Sequence, residues 1–81
     1  MCMGEIRDKL REMGLSETDA EALADCIVTK KSCSWVNTDE VDDAVLQRLG
    51  EYLKQNGHRL QVSVESISTR NKYIWEVKAF Q

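Results

Sequence analysis

The sequence predicts a small α+β domain in which three helices precede a C-terminal two-stranded antiparallel β-hairpin, an outline like that of a winged helix. Two observations carry this expectation. Apolar residues recur at helical spacing over the first two-thirds of the chain, broken by Gly14 and by Asn56-Gly57. In the last third, Leu60, Val62 and Val64 alternate with polar residues, as do Tyr73, Trp75, Val77 and Ala79 after an intervening polar turn.

The first helix is expected over about residues 4–13. Met3, Ile6, Leu10 and Met13 share one face, and Gly14 follows where a helix ends on a left-handed residue. Ser16 followed by Asp19 resembles a capping box, with Leu15 placed to staple onto Ala20. Helix two then runs over about 17–29 and buries Ala20, Leu23, Ala24, Ile27 and Val28. Such a short connection makes the two helices spatial neighbours.

Residues 30–37 have no clean period and read as a loop, with an extended piece at Ser34 to Val36. Trp35 and Val36 are expected to plug the core beneath it, given the area a tryptophan buries. Asn37 and Glu40 form a second capping-box pattern, which starts helix three at about residue 38. Val41, Ala44, Val45, Leu49, Tyr52 and Leu53, widened by Leu46, form its apolar stripe as far as Asn56.

In the hairpin, the expected register pairs Leu60 with Ala79, Val62 with Val77, Val64 with Trp75 and Ser66 with Tyr73, around a turn at Ser68 to Asn71. The other face carries Arg59, Gln61, Ser63, Glu65 and Ile67 opposite Phe80, Lys78, Glu76, Ile74 and Lys72. A slip of one residue would expose the whole apolar set. Two strands alone are marginal, so an edge is expected to pair with a strand near Trp35, with a second copy in a homodimer, or with a partner chain.

Composition narrows the function classes. The 81 residues suit one domain (helical part about 4–56, hairpin about 59–80), and 42% hydrophobic with 31% charged residues and no proline is globular rather than disordered composition. No apolar run reaches membrane-spanning length and the N-terminus lacks a signal-peptide core, so a soluble, cytoplasmic protein of microbial or viral type is expected, in the host cytoplasm if viral. Cys2, Cys26 and Cys33 are too few and too odd in number for a disulfide framework, and Cys26 reads as a small core residue. With His58, read as a surface turn residue, these cysteines lack the close pairs of a zinc site. No glycine-rich phosphate loop or nucleophile–base spacing occurs, so neither a cofactor nor an enzymatic activity is expected.

Charge is polarised within a net of −3. The helices are acidic, with a cluster at Asp39, Glu40, Asp42 and Asp43, while the hairpin carries Arg59, Arg70, Lys72 and Lys78 against Glu65 and Glu76. Carboxylates at the start of helix three oppose docking of that helix on DNA. Non-enzymatic protein binding is therefore the leading expectation, as a phage or mobile-element inhibitor or accessory protein. Its contact residues are the acidic set and the outer hairpin residues Ile67, Ile74 and Phe80. The alternative is a winged-helix-like nucleic-acid binder that touches phosphates through Lys30, Lys31, Arg70 and Lys72. Residues 13–25, Met-Gly-Leu-Ser-Glu-Thr-Asp-Ala-Glu-Ala-Leu-Ala-Asp, are similar to the loop and helix of ubiquitin-associated domains. A glycine-ended helix followed by a capped one accounts for the match, the expected hairpin departs from that family, and ubiquitin binding is not carried over.

Overall fold

A computed structural model describes residues 2–80. The chain is α+β, in the order α1 (Met3–Met13), α2 (Glu17–Thr29), β1 (Cys33–Asn37), α3 (Asp43–Gln55), β2 (His58–Ile67) and β3 (Arg70–Ala79). The sheet has three antiparallel strands rather than two, in the order β1-β3-β2. The extended piece around Trp35 is a full strand, and it covers the β3 edge that the hairpin alone would leave open. The winged-helix outline is met only in part, because this strand lies between the second and third helices.

Both early helices form where their periodicity places them. Gly14, at φ 116°, ends α1 with its N–H on the Arg11 carbonyl, and Ser16 caps α2 by accepting from the Asp19 N–H. Helix three starts five residues later than the pattern suggested. The Asn37 side-chain oxygen accepts from the N–H groups of Thr38 and Asp39, a local turn that takes the donors a helix would have ordered. Asp42 occupies the N-cap position, and the intended Asn37–Glu40 capping box does not exist.

The hairpin register is two residues away from the expected one: Leu60 pairs with Val77, Val62 with Trp75, Val64 with Tyr73 and Ser66 with Asn71. A tight turn at Ser68-Thr69, with Ser68 at φ 53°, replaces the four-residue turn. An even shift keeps each side chain on its own face, so the apolar set remains inward.

The core gathers Ile6, Leu10, Leu23, Leu49, Leu53, Trp75 and Val77 between the helices and one face of the sheet. Trp35 stacks on Trp75 with ring centroids 5.2 Å apart, in the cross-strand pair that joins β1 to β3. Five residues assigned to the core are exposed: Met3, Val28, Val36, Ala44 and Val64, the last although its side chain keeps to the helical face. Conversely, His58 is fully buried rather than a surface turn residue. It opens β2 with Nδ1 3.0 Å from the Asn56 carbonyl and Nε2 3.2 Å from that of Lys31. Cys26 is buried as expected, but it is disulfide-bonded to Cys33 across the turn from α2 to β1. That bond depends on Lys30, whose left-handed backbone (φ 55°) folds the chain back, and no cysteine spacing reveals this.

Candidate binding surface at the hairpin tip

β1 is half the length of its neighbours. It ends at Asn37, opposite Tyr73, whereas β3 begins at Arg70 and the hairpin turn lies beyond. The tip therefore overhangs the sheet. Between the end of β1 and this overhang lies an open cleft of about 600 Å³, lined by Val36, Asn37, Thr38 and residues 67–72. A smaller recess of about 380 Å³ adjoins it, between Thr38, Glu40, Thr69, Arg70 and Asn71.

The backbone of β3 takes part in this cleft. The Phe80 N–H bonds to the Gly57 carbonyl on the β2 side, while the Ala79 N–H bonds to Ser32 Oγ on the β1 side. Antiparallel strands alternate direction residue by residue, so odd-numbered residues of β3 address β1. Asn71 is odd-numbered and lies past the end of β1, so its N–H and C=O are directed into the cleft. Asn71 also accepts, through its side chain, from Ser66 Oγ at 3.2 Å, which ties the two arms of the tip together.

The residues singled out from sequence divide among three places. Ile67, Arg70 and Lys72 meet around the cleft, with Glu40 in the adjoining recess. Ile74 lies mid-sheet on the outer face, flanked by Val36 and Ser63, and forms part of a groove along β1 and β3. Phe80 stands at the far end, six positions beyond Ile74, or about 20 Å at strand spacing. Ile67, Ile74 and Phe80 are therefore not one patch.

Lys30 and Lys31 are likewise remote from Arg70 and Lys72. They precede β1, whose first residue pairs with Val77 near the opposite end of β3. The four cations do not line one surface. The acidic set also splits. Asp39 is half-buried and accepts from Asn37 Nδ2 at 2.8 Å, Glu40 lies in the loop, and only Asp43 belongs to α3 itself.

Sequence reasoning missed the wall of the cleft formed by Val36 and Thr38, because it took Val36 as a core residue. The available signal was alternation along β1: Cys33, Trp35 and Asn37 inward, Ser34 and Val36 outward. Among the described residues no cluster of histidine, cysteine and acidic side chains could hold a metal ion, and no helix is long and apolar enough to cross a membrane. Comparison with protein-family models, with curated proteins and with solved structures finds no match.

Proposed function

We propose that the chain is a non-enzymatic protein-binding module whose hairpin tip receives an extended, acidic segment of a partner protein. The supporting observation is the overhang: a cleft with aliphatic walls at Val36 and Ile67, two cations at Arg70 and Lys72, and an unoccupied stretch of β3 backbone at Asn71. A strand added there extends the sheet where β1 stops, with backbone bonds giving affinity and the flanking side chains giving selectivity. Carboxylates on the incoming segment complement Arg70 and Lys72. The corresponding role is that of a small inhibitor or accessory protein of phage or mobile-element type.

The test is selection from a displayed library of random extended peptides, followed by titration against wild type, Ile67→Asp and the Arg70→Glu/Lys72→Glu pair. Selected peptides that combine aliphatic and acidic positions, and that lose binding to both variants, support the reading. Peptides that bind all three proteins equally overturn it. DNA and RNA, duplex and single-stranded, form a control arm. Low-salt binding that weakens with salt and disappears in the Arg70→Glu/Lys72→Glu protein would put nucleic acid at the tip instead.

A cytoplasmic setting belongs to the same proposal, in which the reducing cytosol keeps open the Cys26–Cys33 pair that the structure shows closed. Cell fractionation followed by acid-quenched thiol labelling tests it, and protein recovered outside the cytosol with the pair closed overturns it.

A further inference from the structure

We infer that β2 pairs with β2 of a second copy across a two-fold axis at Val62, joining two three-stranded sheets into one of six strands. This goes beyond the tip reading and uses the opposite edge of the sheet, so either can fail without the other.

β2 is an edge strand of ten residues whose pairing with β3 is continuous from His58 to Ile67. It carries none of the usual guards of a free edge: no proline, no lysine, no interruption of register and no inward-pointing carboxylate. The bond from the Phe80 N–H to the Gly57 carbonyl assigns the odd-numbered residues of β2 to β3. The N–H and C=O groups of His58, Leu60, Val62, Val64 and Ser66 therefore face outward along the edge. These are also the residues whose side chains point to the helical face. Two copies centred on Val62 bring matching sets together: Val62 meets its own copy, Leu60 meets Val64 of the second copy, and His58 meets Ser66.

Charge selects this register. On the outer face it sets Arg59 opposite Glu65 of the second copy, and the two-fold axis repeats the pair. Moving the axis by one residue, the smallest shift that keeps edge groups paired, sets Arg59 opposite Ser63 or Ile67 and loses both ion pairs. Within one chain Arg59 stands opposite Lys78, a like-charge neighbour that an incoming carboxylate offsets. The same register covers Val64, which points to the helical face yet is 54% exposed because no helix reaches that far along the hairpin. Leu60 of the second copy supplies the missing apolar neighbour.

Sedimentation equilibrium over a wide concentration range tests the inference. Wild type is expected to sediment at twice the 9.3 kDa chain mass at high concentration. Arg59→Glu alone and Glu65→Arg alone should each raise the dissociation constant by about tenfold, since each turns two attractive pairs into like-charge pairs. The double variant should restore it. Val64→Pro removes an outward N–H while leaving the bonds to β3, and should abolish the dimer with unchanged far-UV circular dichroism. A single-chain mass for wild type at the highest concentration overturns the proposal, as does a double variant no tighter than the singles.

Discussion

The indole Nε1 of Trp35 donates to Oδ1 of Asp19 at 2.9 Å, tying the middle of β1 to the first turn of α2. Asn37 Nδ2 donates to the same oxygen at 3.0 Å and to Asp39 at 2.8 Å. One wholly buried carboxylate thus fixes the tryptophan that stacks on Trp75 and the asparagine that shapes the loop before α3. Asp19→Ala would leave the Trp35 indole N–H unpaired and remove one of the two bonds of Asn37 Nδ2, and should destabilise the fold by about 2–4 kcal/mol, whereas Asp19→Asn keeps an acceptor and should cost less. Urea denaturation followed by tryptophan fluorescence measures both. A loss below about 0.5 kcal/mol for Asp19→Ala would mean that the network contributes nothing net.

Gly14 and Gly50 should respond oppositely to alanine. At Gly14, φ is 116° and an added Cβ would lie 3.0 Å from Val45 Cγ2. Gly14→Ala should therefore destabilise by about 2 kcal/mol. Gly50 sits inside α3 with nothing within 4 Å of an added Cβ, so Gly50→Ala should stabilise by about 0.5–1 kcal/mol. Thermal melts of the two single variants decide the matter, and equal shifts would contradict the stated geometry.

Reduction of the Cys26–Cys33 bond should weaken the fold through the unfolded chain more than through the native one. The bond closes a loop between residues seven apart, for which chain entropy alone predicts about 2.5 kcal/mol. The denaturation midpoint of the reduced wild type should match that of Cys33→Ser, and both should lie below that of the oxidised wild type. A reductant effect that persists in Cys33→Ser would have another origin.

Tyr52 controls part of the alkaline behaviour. Burial raises its phenol above the usual value, and its hydroxyl has no partner among the described residues. The unfolded phenol therefore ionises first, so stability falls as pH rises through about 10 and is unaffected at neutral pH. Tyr52→Phe should leave neutral stability unchanged or slightly higher and flatten the decline above pH 10. Its ring should still accept Lys9 Nζ, 5.2 Å from the centroid. A denaturation series from pH 7 to 11 shows whether the slopes differ.

Much of this architecture is legible from residue order, and the errors have local causes. Ser16, Gly14 and the apolar periods define α1 and α2 because caps and faces act over a few residues. The start of α3 is not legible from residue order because Asn37 can cap a helix or turn a loop, and its choice is made by Asp19, eighteen positions away. The hairpin register turned on whether Ser68 accepts a positive φ, which its side chain does not announce. His58 reads as a turn residue until its two carbonyl partners, one from the distant Lys31, are in place. The cleft is half legible from sequence: charge and alternation mark Ile67, Arg70 and Lys72, whereas its other wall depends on where β1 stops.

The strand order has a consequence for how the molecule is made. β3 is the central strand yet the third of the three in sequence, so Cys33 to Asn37 have no strand to bond until residues 73–77 have been synthesised. A growing chain can assemble its helices early, but Trp35 must wait for Trp75 before either ring is covered. Closing that distant contact is the slow, entropically costly step for a domain of this length. During that interval Trp35 and the strand around it stand open, which makes the nascent chain, more than the finished protein, the form most in need of a chaperone.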